Sequence, residues 1–493
     1  MTRRSPSSPT SQDLVEHALA ASGAVDCIVI ASDSTAANLR WADNTLTTNG
    51  VARSRTITVI SLVGPAAGVV TRQGVDSVDL VADVVAAADS AARQSSPAED
   101  AGPLVGADAS VGEWGEPAAE ASISVFDAFA PDLGASFERA AGSGQRLYGF
   151  ASYDLTTTFL GTSTGLRSRH VQPTGHVEIN AKSADLARST WTGVPTKDFG
   201  DIDMAAIHDD LERRLGWAAR RLDLPPGRYE TVLPPTAVAD LMISLYWAAE
   251  GRDAHEGRSV FSRQGGGTKV GERLASTPLT LRSDPGVAGI ECGPFLTAAR
   301  SGGDRSVFDN GAPLGPTSWI SGGVLTSLVQ TRFSAGLTGL PFTPYVDNLV
   351  LEASDAPGGA GGGAAGDRAG GEGGDSAGGA AGDSGGGLDG IIAGTERGLL
   401  LTCLWYIREV DPRTLLLTGL TRDGVYLIEG GEVTAAVNNF RFNESPVSVL
   451  ARAAVVGSTE RTLPREWSDY FTRTAMPAIR VEGFNMSSVS QAS

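Results

Sequence analysis

The apolar and polar positions in the first half of the chain predict strands interspersed with a few helices. Asp26–Ala31 is an apolar run typical of a buried strand, and Thr56–Leu62 alternates at the period of two that strands show. Gln12–Ala21 and Val78–Ala92 carry apolar residues at helical spacing, which favours helices packed on a sheet. Further strands are predicted at Leu147–Tyr153, Thr156–Leu160 and His176–Ala181.

A tight turn is predicted at Asn49-Gly50, at the end of a segment from Leu39 in which Trp41, Asn44 and Leu46 form an extended, partly polar run. Both central positions of a type I′ turn need positive φ, which Asn and Gly adopt at the lowest cost. The sequence therefore predicts a hairpin whose second strand begins beyond Gly50.

Ile202–Leu222 is predicted to form an amphipathic helix at the end of the first half. Leu211 and Leu215 share its apolar side, and His208 falls on the side predicted to face solvent. The sequence Pro-Pro-Gly at residues 225–227 cannot continue a helix. A domain boundary is therefore predicted after residue 225.

The second half predicts a mixed sheet with few helices. Arg228–Leu233 has the pattern of a strand, and Ala237–Ala249 that of a helix with Thr236 as its N-cap. Further strands are predicted at Ser327–Arg332 and at Val425–Ile428, the second of them before a turn at Glu429–Gly431.

The predicted fold class is α+β with two domains, because 493 residues exceed one ordinary core. Residues 12–225 form a sandwich-like N-terminal α/β domain, and residues 226–493 form a strand-rich C-terminal domain of mixed sheet. Residues 1–11 are predicted to be disordered. Residues 357–387 are almost entirely Gly, Ala, Asp and Ser, which cannot bury enough apolar area to offset chain entropy. They predict a disordered surface insertion without a catalytic role.

Composition narrows the classes of partner. The net charge of -18, without a block of Lys or Arg, argues against binding to nucleic acid or to an anionic membrane surface. The first residues contain no apolar stretch of a signal peptide, and a cytoplasmic protein is expected. Cys27, Cys292 and Cys403 lie far apart, which predicts buried thiols in a reducing compartment rather than disulfides.

Candidate catalytic residues are few. His255-Glu256 has the start of a zinc-peptidase motif, but Ser259 stands where the second histidine would be needed, and the glycines around it predict an exposed loop. Gly265–Lys269 lacks the residue order of a phosphate loop and is predicted to be a flexible turn. The remaining histidines beside His208 are dispersed along the chain: His17, His170 and His176.

The order of several short segments along the chain is more specific than any one of them. The segments are Gly227–Met242, Ala248–Gly251, Ser259–Ser262 and Val270–Ser276, with support from Leu39–Asn44, Trp319–Leu328, Ser334–Gly339 and Val425–Val433. In this order they resemble the TldD/PmbA family, whose member PmbA is also called TldE. The resemblance covers nearly the whole chain except for the Gly-rich insertion.

The resemblance implies an N-terminal α/β domain, a C-terminal domain of mixed sheet, and a part in a zinc-dependent peptidase of the bacterial cytoplasm. Two members of the family pair in that enzyme. In the catalytic member, TldD, a helix carries His-Glu-x-x-x-His, followed by Glu-Gly and by Ser-x-Phe. The two histidines bind zinc, the glutamate polarises water, and a cysteine near the C-terminus completes the site.

Five residues of this chain stand at positions that match other parts of the family's motifs. The resemblance suggests functional relevance only for these: Glu250, Gly251, Ser259, Phe261 and Gly271.

The metal-binding positions themselves are occupied by apolar residues. Aligned on Glu-Gly and Ser-x-Phe, the first histidine falls on Met242, the glutamate on Ile243 and the second histidine on Trp247. Met and Trp do not replace imidazole as zinc ligands here, and Ile cannot act as a base. The segment Arg461–Phe471 contains no cysteine, and Cys403 comes too early to match.

The resemblance therefore implies a TldE-like, non-catalytic subunit that itself binds no cofactor. Its expected partner is a TldD-like peptidase that carries the zinc, with the peptide substrate in a shared chamber. A homodimer also stays open, whereas nucleic acid and membranes are not expected partners.

Two alternatives to this function stay open. One is an independently active metallopeptidase with a relocated site formed by His255, Glu256 and Glu250. The other is a binding or modulator protein without a peptidase partner, which the family's historical link to DNA gyrase modulation suggests.

Overall fold

A computed structural model of the chain describes residues 9–354 and 386–490. It is an α+β structure with 23% helix and 40% strand in two sheets, which confirms the predicted fold class. The predicted Gly-rich disordered insertion lies almost entirely outside the described residues, as do residues 1–8 of the predicted N-terminal disorder. The prediction of disorder is wrong for Thr10 and Ser11, because Thr10 caps a helix that begins at Ser11.

The N-terminal sheet is antiparallel, and its strand order is β3-β2-β1-β4-β5-β6 over the part of the chain that the structure describes. Long strands dominate it because the predicted short strands join: Leu147–Tyr153 and Thr156–Leu160, for example, belong to one strand. The six strands are β1 (Asp26–Ala42), β2 (Thr45–Val63), β3 (Ala66–Gln73), β4 (Arg146–Thr162), β5 (Arg167–Lys182) and β6 (Ser189–Thr196).

Four helices cover one face of this sheet. They are α1 (Ser11–Ala21), α2 (Val78–Gln94), α3 (Phe129–Gly142) and α4 (Met204–Trp217). Val29 packs with α1 and α2, and Leu39 packs with α3 and α4. Because strand side chains alternate between faces, these odd-numbered positions share one side, and Ile28 and Ile30 pack on the other side against Phe308 from the second half of the chain.

The hairpin turn between β1 and β2 lies at Asp43-Asn44, so its prediction at Asn49-Gly50 is wrong. Asp43 and Asn44 have φ of 54° and 61°, whereas Asn49 and Gly50 lie within β2 and pair with β1. The Asn44 side chain donates to the carbonyl of Gln145 at 2.8 Å and accepts the N–H of Leu147 at 2.7 Å. These bonds to Leu147 of β4 and to Gln145 just before it supply a tertiary reason for the turn that a local dipeptide cannot show.

His208 is buried, which contradicts the prediction that it faces solvent. Met204, His208, Leu211 and Leu215 follow one another at spacings of four, three and four, so they form one buried stripe on α4. Burial lowers the pKa of His208, and neither ring nitrogen has a hydrogen-bond partner among the described residues. The imidazole therefore packs as a neutral, mostly apolar ring.

The second sheet mixes parallel and antiparallel pairs, and within the described ranges it contains fourteen strands. Its longest strand, Thr474–Val489, pairs with four other strands. The strands are β7 (Arg221–Leu222), β8 (Gly227–Leu233), β9 (Leu279–Ser283), β10 (Thr317–Ser321), β11 (Val324–Leu325), β12 (Leu349–Ala353), β13 (Arg397–Leu401), β14 (Leu404–Asp411), β15 (Leu416–Thr421), β16 (Val425–Glu429), β17 (Glu432–Val437), β18 (Phe440–Glu444), β19 (Ala453–Thr462) and β20 (Thr474–Val489).

Short helices accompany this sheet. The predicted helix after β8 begins at Pro235 rather than Ala237, and Pro234 rather than Thr236 is its N-cap, because proline fixes the φ that the first helical turn needs. The helices are α5 (Pro235–Trp247), α6 (Gly251–His255), α7 (Arg332–Thr338), α8 (Leu388–Ala393) and α9 (Pro446–Ala451), and 3-10 turns occur at Ala107–Ala109, Ile123–Phe126 and Val307–Asp309.

Further predictions for the second half and for its boundary with the first meet different outcomes. The strand predicted at Ser327–Arg332 is wrong: only Val329 forms an isolated bridge, and Arg332 begins α7. The turn predicted after Val425–Ile428 is confirmed, with positive φ at Gly430 and Gly431. The helix predicted at Ile202–Leu222 ends at Trp217, because Arg221–Leu222 pairs with β17 instead. The domain boundary after residue 225 stays a prediction.

Replacing Asn44 by Ala is expected to lower the free energy of unfolding by about 1–3 kcal/mol. Alanine loses both side-chain bonds and adopts the left-handed conformation only with strain. Urea-induced unfolding measures the change, and Asn49→Ala, at an exposed strand position, is the matched control with an effect below about 0.5 kcal/mol. Equal effects of the two substitutions would contradict the assignment of the turn.

Candidate functional site

Helix α5 is the element at which the family resemblance places metal chemistry. All of its residues from Ala237 to Tyr246 are buried, so it is an apolar helix enclosed on every side. Met242 and Ile243 are fully inaccessible to solvent, and Trp247 is half-buried at the helix end. The helix therefore packs in the core of the C-terminal half.

These residues do not fit a zinc ion. Met242 and Ile243 join an apolar cluster with residues such as Leu281 and Phe261, where a divalent cation would lose its hydration without gaining anionic or imidazole ligands. The Trp247 indole donates its N–H to the Tyr345 hydroxyl at 3.2 Å, and an indole nitrogen offers no lone pair to a metal. In residues 9–354 and 386–490 no group of three or more His, Cys, Asp or Glu side chains is placed to hold a metal.

The C-terminal segment of residues 465–468 is held against α5 by one buried carboxylate. Asp240 accepts the backbone N–H of Glu466 at 2.9 Å and that of Arg465 at 3.2 Å. The Trp467 indole N–H donates to the Asp240 carbonyl at 3.0 Å. Burial raises the pKa of Asp240 well above its ordinary value, and the two backbone donors oppose that rise.

The same segment is fastened to the N-terminal sheet by Glu178 of β5. One oxygen of this buried carboxylate accepts the Trp191 indole N–H at 3.1 Å and the Arg465 guanidinium at 2.8 Å. The other oxygen accepts the Ser468 hydroxyl at 3.0 Å. Arg465 in turn lies between two aromatic rings, with its guanidinium carbon 4.8 Å from the centre of Trp191 and 4.2 Å from that of Trp405.

Beside the end of α5 lies an aromatic pocket of about 450 Å³. Trp247 meets Trp467 edge-on, with ring centres 4.9 Å apart. The Glu466 carboxylate closes one side, where it accepts the backbone N–H groups of Tyr406 and Ile407. The aromatic pocket is lined by Trp247, Trp405, Tyr406, Arg408, Glu466, Trp467 and Tyr470. It presents stacking surface where the family's second histidine would stand.

Glu250 and Gly251 follow α5 and have structural reasons for their identity. Glu250 forms a bridge with Val329, and Gly251 begins α6. A Cβ on Gly251 would lie 2.2 Å from the amide nitrogen of the buried Gln330 side chain, so only glycine fits there. Burial first, then repulsion from Asp253 and Asp304, raises the pKa of Glu250 to about 7.

The other three positions that match the family's motifs also make local contacts. The Ser259 hydroxyl accepts the backbone N–H of Phe261 at 3.2 Å, and Phe261 is fully buried in the same cluster as Met242. Gly271 has a φ of 93°, which favours glycine, and its N–H donates to the Leu325 carbonyl at 2.8 Å. These contacts stabilise the local fold around Ser259, Phe261 and Gly271. A functional role for the three residues stays a prediction.

His255 and Glu256 are exposed as predicted, but His255 ends the short helix α6 rather than lying in a loop. The Glu256 carboxylate is held by Arg252 at 2.9 Å and by Arg258 on its other oxygen. The other histidines named above lie away from this helix: His17 is on α1, and His170 and His176 are on β5. All three cysteines are buried free thiols, which confirms their predicted burial.

The comparisons with known proteins agree with this geometry. Residues 226–488, more than half of the chain, match the model of the PmbA/TldA metallopeptidase C-terminal domain. The matched family is metallopeptidase-related. The chain belongs to the TldD/PmbA family. A comparison with curated proteins gives no match.

Three solved structures share the fold over nearly their whole length. TldE from Thermococcus kodakarensis has a TM-score of 0.73 at 17% identity, covering 96% of this chain and 99% of that one. Candidate modulators of DNA gyrase from Thermotoga maritima and Bacteroides thetaiotaomicron have TM-scores of 0.69 and 0.71 at 14% and 15% identity. They cover 93% and 97% of this chain and 95% and 100% of their own.

No helix among the described residues is long and apolar enough to cross a membrane.

The sequence predictions missed the contacts of Asp240, Glu178 and Arg465. One signal for them was present, namely a lone carboxylate inside the otherwise apolar helix α5, which needs buried donors.

Replacing Glu250 by Gln is expected to remove a pH dependence of stability. Because the pKa of Glu250 is raised to about 7, the stability that its protonated form contributes is complete below about pH 4.5 and is lost as the pH rises through about 7. Between about pH 5 and pH 8 the natural chain should lose about 1–2 kcal/mol relative to the variant, after allowance for partial exposure.

Urea-induced unfolding at both pH values measures this difference. The matched control is Glu432→Gln at an exposed position in β17, whose profile should follow that of the natural chain within about 0.5 kcal/mol. Parallel profiles for the natural chain and Glu250→Gln would show that the fold does not destabilise the ionised carboxylate.

Proposed function

We propose that this chain is a TldE-like, non-catalytic subunit that assembles with a TldD-type zinc peptidase and takes part in peptide processing. The observation that carries the proposal is helix α5: it stands at the family's motif position, and its Met242 and Ile243 are sealed in the core. A side chain without solvent access and without a lone pair of suitable kind neither binds zinc nor activates water.

The structure around α5 supports a role in completing a peptide chamber on the partner. The aromatic pocket offers exposed ring faces at Tyr406 and Tyr470, and peptide side chains bind to such faces with little loss of conformational entropy. The zinc belongs to the partner in this proposal, and this chain contributes shape and apolar surface.

The alternative of a relocated metal site at His255, Glu256 and Glu250 is less well supported. The Glu256 carboxylate forms salt bridges with two arginines. The Glu250 carboxylate packs against Gly303, so closely that a Cβ added to Gly303 would lie 1.7 Å from the Glu250 oxygen. Guanidinium groups on a carboxylate compete with a cation for its lone pairs. The similarity to candidate gyrase modulators shows only that the fold is shared. The experiment below tests whether the chain acts without a peptidase partner.

The test is to produce this chain together with a TldD-type chain of the same organism that carries His-Glu-x-x-x-His. The two chains should co-elute, and hydrolysis of a fluorogenic oligopeptide should require both. Substituting the motif glutamate of the partner should lower the rate at least about 100-fold, because a general base contributes that much. His255→Ala and Glu256→Gln in this chain should change the rate less than about two-fold.

Two results would contradict the proposal. Chelator-sensitive peptidase activity of the isolated chain, lost in Glu256→Gln, would establish the relocated metal site. A TldD-type chain that is fully active alone and does not bind this chain would favour the modulator function.

A further inference from the structure

A second pocket, away from α5, concentrates positive charge in a chain of net charge -18. It encloses about 360 Å³ between the two sheets, and we call it the cationic pocket. Among the residues that the structure describes, its charged lining consists of Lys182, Arg188, Arg221, Arg422 and one acid, Asp423. Four cations against one carboxylate reverse the balance of the chain as a whole.

The four cations come from separate elements that the fold brings together. Lys182 ends β5, and Arg188 immediately precedes β6. Arg221 lies in β7, which pairs in parallel with β17, and Arg422 follows β15 in the second sheet. The cationic pocket therefore bridges the N-terminal sheet and the C-terminal sheet, and ligand sites are frequent at such junctions.

Three of the cations form no salt bridge among the described residues, although Arg188 interacts electrostatically with the exposed Asp185. Arg188 donates to the Leu215 carbonyl at 2.9 Å, and Lys182 lies 5.6 Å from the ring centre of Tyr148. Arg221 forms no ion pair within residues 9–354 and 386–490. A surface ion pair would normally be available to these groups in so acidic a chain, and bringing like charges together without one costs free energy.

The single acid is already in use. Asp423 accepts the Ser189 hydroxyl at 2.6 Å and lies 3.6 Å from the Arg422 guanidinium. Its backbone has a φ of 49°, and Leu186 across the pocket has a φ of 60°. Leu186 lies in the turn between β5 and β6, where its N–H donates to the Ser183 carbonyl at 2.8 Å.

We propose that the cationic pocket binds a small anion with two or more negative charges, of the phosphate or carboxylate type. The volume equals that of roughly a dozen water molecules at about 30 Å³ each, which fits such an ion. The major groove of DNA needs a protruding helix or ribbon, and a pocket cannot enter it. Bidentate arginine geometry suits both phosphate and carboxylate oxygens.

Calorimetric titration of the full chain with inorganic pyrophosphate at low ionic strength tests this site. One equivalent should bind, with an affinity that falls as salt is added, because exposed charges are screened. Arg221→Gln should weaken binding at least about ten-fold, the effect of losing one charge-assisted contact. The matched control is Arg220→Gln: this neighbouring arginine is exposed and does not line the pocket, and its loss should change affinity less than about two-fold.

Parallel titrations with inorganic phosphate and with citrate distinguish the two sources of negative charge. Tighter binding of pyrophosphate identifies a phosphate ligand, and tighter binding of citrate identifies a carboxylate ligand; Arg221→Gln should weaken either. Circular dichroism of each variant confirms that it is folded.

The proposal is overturned if none of the three anions binds to the natural chain at about 5 mM. It is equally overturned if Arg220→Gln and Arg221→Gln weaken binding to the same extent, because the interaction would then reflect surface charge alone. If duplex DNA binds and both variants weaken that binding equally, the interaction would also reflect surface charge alone, and the proposal would be overturned.

Discussion

The buried carboxylate of Glu178 is the central ionic contact between the two halves of the chain. It accepts hydrogen bonds from Trp191 of its own sheet and from Arg465 and Ser468 of the C-terminal segment. Removing one partner of a buried ion pair costs about 3–5 kcal/mol, because the other charge stays buried without compensation. The two sheets are therefore joined by a buried ion pair, in addition to apolar contacts such as those of Ile28 and Ile30 with Phe308.

That relation extends to helix α5 through Asp240. The carboxylate binds two backbone N–H groups of the same C-terminal segment, so the segment is held from both sides. The resemblance to the family implies that a metal-ligating cysteine would belong to this region and two histidines to α5. In this chain hydrogen bonds, the stacking of Arg465 and the contact of Trp247 with Trp467 join the same two elements. The two elements that would carry the metal ligands in the family's catalytic member are therefore joined by structural contacts in this chain.

Local patterns predicted the elements whose burial is uniform. The apolar runs of β1 and β2 and the enclosed helix α5 were recognisable because period and burial agree along them. Asn49-Gly50 misled because register along β1 and the bonds of Asn44 to β4 outweigh the intrinsic preference of a dipeptide. His208 misled because a polar residue type occupied a buried stripe.

The candidate site was predictable only in what it lacks. Alignment to the family's motifs placed Met242, Ile243 and Trp247 correctly on one helix, but the contacts that surround them join distant positions. Asp240 and Glu466 are 226 residues apart, and Glu178 and Arg465 are 287 apart. Side chains that meet across such separations leave no periodic signal in one sequence, and neither does the convergence of cations from two sheets.

A double-mutant cycle between Glu178→Gln and Arg465→Met tests most directly whether their contact couples the two halves. Unfolding in urea of the natural chain, both single variants and the double variant gives the interaction free energy. A coupling of about 1–3 kcal/mol is expected, because each single change leaves a buried group without its partner. Additive effects within about 0.3 kcal/mol would contradict it.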